Sequence, residues 1–124
     1  MATIKSFTDI EQSKKLAKIL PLESADMYWS TTLNTPVPYL ATKLEHQLYK
    51  EGANLIPCWS LTALLGVLPI LDNRSPVMSK TFDGKYRVIY HSTAYEKAIY
   101  TEDFDNPVDA CYEMVLKLNE LKML

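Results

Sequence analysis

Along the first part of the chain, apolar and polar positions separate with a helical period. At about 100° per residue, Ile10, Leu16, Ala17, Ile19 and Leu20 share one half of the wheel, and Glu11, Lys14, Lys15 and Lys18 share the other. This predicts a helix over Asp9–Leu20, with Thr8 as N-cap and Glu11 completing a capping box. Pro21 ends it for want of a backbone donor. Glu11 and Lys15 stand at i,i+4 on the solvated face. Asp26–Leu33, where Met27-Tyr28-Trp29 precedes β-favouring threonines, reads as a strand. Asn34-Thr35-Pro36-Val37-Pro38 reads as a turn or loop, because two prolines remove donors from any ladder. Thr42–Tyr49 fits two patterns: Leu44 and Leu48 are spaced for a helix, while Leu44, His46 and Leu48 also alternate. Gly52 ends the segment either way.

Ser60 is placed to cap a helix over Leu61–Leu68, which Pro69 ends. That helix is apolar nearly all round, so it is expected to be buried as the central strut of the core. Val77–Phe82, Asp83-Gly84 and Lys85–Ser92 read as a hairpin with a two-residue type I′ turn. The register pairs Phe82 with Lys85, Lys80 with Arg87 and Met78 with Ile89. One face then carries Val77, Ser79, Thr81, Tyr86, Val88 and Tyr90, and the charges occupy the other. Tyr95–Thr101 reads as a third strand returning alongside.

Asn106 as N-cap, Pro107 at the first helical position and Asp109 at the third open a helix running to about Lys122. Val108, Cys111, Met114, Val115, Leu118 and Leu121 share one side, and Ala110 and Tyr112 widen the arc to roughly half the circumference. So wide an arc calls for a surface besides the sheet. The first helix can supply it through Ile10, Leu16 and Leu20, or a second copy can across a two-fold axis. The intramolecular solution is favoured, because a small domain needs every apolar face for its own core. These elements predict a single α+β domain over 1–124: a three- or four-stranded antiparallel sheet, centred on 77–101, with helices 9–20, 61–68 and 107–122 packed on one face.

Composition narrows the function classes. The chain has 124 residues, 48% apolar and 23% charged, as in an ordinary globular domain. Two Trp, eight Tyr and three Phe argue against disorder. A net charge of −2 excludes a strongly basic nucleic-acid footprint. The opening Met1-Ala2-Thr3-Ile4-Lys5-Ser6 shows no apolar signal region, and the densest apolar run, Leu61–Leu71, falls short of the roughly 20 residues a bilayer span needs. The expected setting is therefore soluble and cytoplasmic, with no membrane partner. No repeat or low-complexity tract is visible.

Three stretches carry a resemblance. Glu11-Gln12-Ser13-Lys14-Lys15-Leu16-Ala17 is the first. Ile56-Pro57-Cys58-Trp59-Ser60-Leu61, followed by Leu64-Leu65 and Leu68-Pro69, is the second. Asp105-Asn106-Pro107-Val108-Asp109-Ala110-Cys111, followed by Glu113-Met114 and Leu116-Lys117-Leu118, is the third. Together they resemble a family of small uncharacterised proteins of gut anaerobic bacteria, their prophages and other mobile elements. The resemblance covers about half the chain and does not extend to 30–54 or 70–104. It implies a setting, a small cytoplasmic accessory protein encoded on a mobile element, and it carries no catalytic or cofactor residue to any position.

Candidate chemistry is sparse. Cys58 with His46 or His91 is the one thiol–base combination in the composition, and Cys58 precedes a helix whose dipole would lower its pKa. Its apolar neighbours Pro57 and Trp59 favour a core thiol instead, as does the 53-residue separation from Cys111. Two isolated cysteines in a reducing compartment stay free. Glu102, Asp103, Asp105 and Asp109 form an acidic run that lacks the EF-hand spacing and turn glycine, and it reads as a solvated loop before a helix. Lys14, Lys15 and Lys18 offer a small basic patch but read as a solvated helix face. Gly52, Gly66 and Gly84 build no phosphate loop. From Leu61 onward the order helix–three strands–helix resembles double-stranded-RNA-binding domains in order alone, yet residues 102–113 hold five acids and no base. No catalytic, cofactor or metal residue is assigned. The expected function is a non-enzymatic binding or accessory module acting through protein contacts, monomeric by preference with a homodimer as the alternative. A small thiol- or carboxylate-dependent enzyme is the second reading, and a nucleic-acid module is the third.

Overall fold

The computed structural model describes residues 5–30 and 38–124, and the chain divides into two compact units. One comprises Ser6–Ala63, and the other comprises Leu64–Leu124 together with Lys5. The class is α+β, with four α-helices and two three-stranded antiparallel sheets among the described residues rather than a single sheet.

The first unit begins with α1 (Ile10–Leu16). Its N-cap is Asp9, one residue later than expected: the Asp9 carboxylate accepts from Gln12 N at 2.8 Å, and Gln12 Oε1 accepts from Asp9 N at 3.1 Å. Thr8 cannot cap because its hydroxyl is used inside, 2.8 Å from Ser13 Oγ and accepting from Trp59 N at 3.2 Å. The regular helix stops at Leu16 instead of Leu20; the next turn tightens, with Lys18 N on Lys15 O and Ile19 N on Leu16 O, before Leu20 N closes it on Leu16 O at 2.8 Å ahead of Pro21. Leu16 and Leu20 are buried as expected, but Ile10 is exposed. Lys14, not Lys15, stands near Glu11, at 3.9 Å.

β1 (Met27–Ser30) falls inside the expected strand; the rest of that strand, at 31–33, and most of the expected loop, at 34–37, lie outside the described residues. β2 (Tyr39–Leu40), β1 and a strand not anticipated, β3 (Leu55–Cys58), form one sheet in the order β2-β1-β3. Pro57 lies within β3. It is tolerated because β3 is an edge, where a missing donor need not break a ladder. Between β2 and β3, α2 (Lys43–Lys50) resolves the ambiguous segment as a helix. α1 and α2 both pack beside β3, and Leu16, Ala25, Tyr28, Trp29, Cys58 and Trp59 are buried.

α3 (Leu61–Val67) begins in the first unit and ends in the second. Ser60 Oγ accepts from Ala63 N at 3.2 Å, as its capping role requires. Only Leu64 within α3 is buried, and Thr62, Leu65 and Gly66 are exposed, so this short helix has a solvent face and is not an all-round strut.

The second sheet is the expected meander, β4 (Val77–Lys80), β5 (Tyr86–Tyr90) and β6 (Ile99–Tyr100), with β6 shorter than its sequence suggested. The hairpin register is shifted by one: Lys80 pairs with Tyr86, Ser79 with Arg87 and Val77 with Ile89. The cause is a three-residue loop, Phe82-Asp83-Gly84. Gly84 sits at φ +80°, Thr81 N donates to Lys85 O at 2.8 Å, and Thr81 O accepts from Gly84 N at 3.1 Å. The β5 face is as expected, with Val88 and Tyr90 buried, but β4 is turned over, so Lys80 lies 5.5 Å from the centre of the Tyr86 ring and no like-charge pair forms. α4 (Pro107–Glu120) packs on β5. Asn106 accepts from Asp109 N at 2.8 Å, and Pro107 opens the helix. Val108, Ala110, Cys111, Tyr112, Met114, Val115 and Leu118 are all buried within the single chain, which settles the wide arc without a second copy; Leu121 is exposed.

Candidate functional site

The described residues of the first unit hold one local inversion. α2 is well specified as a helix: Thr42 accepts from Leu44 N at 3.2 Å, Glu45 Oε2 accepts from Thr42 N at 3.1 Å, and Gly52 at φ +89° follows its end. Its inward side is nevertheless the polar one. Glu45, His46 and Tyr49 are half-buried, while Leu44 is 62% and Leu48 38% exposed. The reason lies beneath the helix on β1. Tyr28 has a fully buried ring, and its hydroxyl meets His46 Nδ1 at 2.7 Å. The His46 and Tyr49 rings sit 5.4 and 5.9 Å from that of Tyr28. Burial, then Tyr49, Glu23 and Glu45, push the Tyr28 phenol up to about 12. A leucine turned inward here would strand the phenol without a partner, at a cost of about 1–3 kcal/mol. The helix therefore gives its histidine side to the core and its leucines to solvent. On β2, Tyr39 and Leu40 are also exposed, so large apolar side chains stand out at 39, 40, 44 and 48. Tyr39 and Leu40, consecutive on a strand, point to opposite faces of the sheet, whereas Leu44 and Leu48 stand one turn apart on one side of α2, and an exposed apolar pair marks interaction surfaces more often than single exposed leucines do. The leucine spacing was readable in sequence. Which side faced outward was not, because that depends on Tyr28, sixteen positions earlier.

The second unit holds a cleft of about 440 Å³ between the 101–104 segment and the polar side of α4. Glu102, Glu113, Glu120 and Lys117 line it with Thr101, Phe104 and Leu116. Lys117 Nζ is engaged, donating to Tyr100 O at 2.7 Å and standing 5.6 Å from that ring's centre. With three glutamates and one lysine, the lining is net acidic.

The thiol candidates are structural. Cys58 is fully buried; its Sγ donates to Thr8 O at 3.4 Å and lies 3.5 Å from Thr8 Oγ1. Burial pushes its pKa up, against the lowering from Thr8 and Ser13. The structure gives it hydroxyl and carbonyl partners rather than a histidine: His46 is bonded to Tyr28, and His91 is exposed on the other unit. Cys111 is fully buried, and burial alone pushes its thiol up to about 12. Both cysteines are free, as expected. Native labelling of either thiol is therefore expected to stay slow through about pH 9, where a free thiol is largely ionised, and to become fast in denaturant. A timed reaction with a chromogenic disulfide checks this, and rapid native labelling of Cys58 would restore it as a nucleophile.

The acidic run is dispersed. Asp103 pairs with Arg87 at 2.9 Å, Asp109 with Lys5 at 2.8 Å and Asp105 with Lys85, while Glu102 lines the cleft. Among the described residues no three His, Cys, Asp or Glu side chains are grouped to hold a metal ion. Lys14, Lys15 and Lys18 are exposed on the first unit. No helix among the described residues is long and apolar enough to cross a membrane. Comparison with protein-family models, with curated proteins and with solved structures gives no match.

Proposed function

We propose that this protein is a non-enzymatic binding module that acts through protein contacts, with the Leu44 and Leu48 side of α2 as its docking surface. One observation carries the reading: α2 turns its leucines to solvent while a histidine and a tyrosine fill its inward side. Departures from the usual pattern that keep a good cap and a satisfied hydrogen bond are typical of functional surfaces. The cytoplasmic, mobile-element setting implied by the sequence resemblance belongs to the same proposal. The thiol half of the enzyme reading has little support, since Cys58 is buried with a raised pKa. The carboxylate half has a place to act in the net acidic cleft.

The test is photo-cross-linking in cells that encode the chain. A photoreactive residue at position 44 is expected to give a discrete protein adduct that Leu48→Glu abolishes, and the same residue at the exposed Lys15 on α1 is expected to give none. Equal adducts from both positions, or no adduct at 44, would sink the docking face.

A further inference from the structure

The charges that border the leucines are arranged in order along α2. Lys43 stands at its first position, Gln47 in the middle and Glu51 at its C-cap, all exposed. Stepping by four, these side chains form a stripe beside Leu44 and Leu48. Lys50, also exposed, stands one residue before Glu51 but about 100° round the helix from it and so off the stripe; the stripe itself is positive at one end and negative at the other, so it complements itself when reversed.

We infer that the occupant of this face is a second copy of the chain, with the two α2 helices antiparallel across a two-fold axis, leucines interleaved and Lys43 of each copy facing Glu51 of the other. The inference rests on the docking reading above and adds the partner to it. A parallel pair would set Lys43 against Lys43 and Glu51 against Glu51. The antiparallel pair replaces both repulsions with attractions. The positions also agree along the axis. The two leucines are centred on His46 and the two charges on Gln47, an offset of one residue or about 1.5 Å, so a single two-fold axis serves both sets. Gln47 Nε2 already donates to Glu51 Oε1 at 3.0 Å, which holds that carboxylate on the stripe and leaves its second oxygen for the lysine across the axis. Such a face is small beside the roughly 1,000 Å² that specific interfaces bury, so association is expected in the micromolar range. The charge pairs select orientation more than they add affinity.

Sedimentation equilibrium on the full chain, from about 1 to about 500 µM, tests this. A reversible monomer–dimer equilibrium is expected. Lys43→Glu and Glu51→Lys should each weaken it about tenfold, since each reverses two attractions across the axis. Both changes suit the helix dipole, an acid at its start and a base at its end, so they leave α2 folded. Mixing the two variants should restore association through a mixed dimer, because every crossing pair then has opposite charge. A dimer indifferent to both reversals overturns the antiparallel arrangement. A monomer at every concentration overturns the second-copy occupant; if the position-44 adduct with another protein persists, the docking reading survives that failure, and if it is also lost, both fall.

Discussion

Trp59→Ala is expected to lower stability by about 3–5 kcal/mol, the range for deleting a fully buried indole and leaving a cavity. Trp59 has no exposed surface. It is anchored at three points: its indole Nε1–H donates to Ser24 Oγ at 2.9 Å, its amide donates to Thr8 Oγ1 at 3.2 Å, and its carbonyl accepts from Thr8 N at 2.9 Å. The backbone bonds survive the substitution, so the loss reports the ring and its one hydrogen bond. Trp59→Phe keeps an aromatic ring but loses the indole's hydrogen bond to Ser24, whose hydroxyl still donates to Pro21 O at 2.6 Å, and is expected to cost about 1–2 kcal/mol. Urea unfolding followed by circular dichroism measures both. A loss below about 1 kcal/mol for the alanine variant would mean that the indole is not packed as described.

Leu118→Ala is expected to cost about 2–5 kcal/mol, while Leu121→Ala, less than one turn further along α4, should change stability by less than about 0.5 kcal/mol. The periodicity of the sequence places both on one apolar arc. Leu118 is fully buried, whereas Leu121 is the C-cap and 51% exposed. Because the arc is covered within one chain, the wild-type-to-variant difference should be the same at two protein concentrations tenfold apart. A difference that grows with concentration would make α4 part of a subunit interface. Equal losses at 118 and 121 would mean that the last turn packs more deeply than its cap allows.

Features set within a few residues were legible in the sequence. Asn106 and Pro107 fixed the start of α4, because a side-chain acceptor followed by a residue with no amide hydrogen satisfies a helix N-terminus whatever surrounds it. Ser60 did the same for α3. The Asp83-Gly84 pair marked the hairpin, since glycine takes positive φ without strain, and the isolated cysteines in apolar company were readable as buried thiols. Within the acidic run at 102–109, Asp103, Asp105 and Asp109 pair with separate cations from distant positions, a use the local sequence did not show.

Tertiary structure decided what depends on groups far away in the chain. Thr8 and Asp9 are both good caps, and the choice went to Asp9 because Ser13 and the Trp59 amide claim the Thr8 hydroxyl. The hairpin turn was legible, but its register was set by whether Phe82 joins the strand or the loop. The loop won, leaving Phe82 fully exposed and turning β4 over. β3 was hidden because Pro57 counts against a strand locally and is harmless only once the strand lies at a sheet edge. The outward leucines of α2 were legible as a helical pair and illegible as a surface. A helix pattern gives two sides, and which side is buried follows from the partner it meets. Here that partner is the phenol of Tyr28, whose hydrogen bond is met by His46 on the inward side.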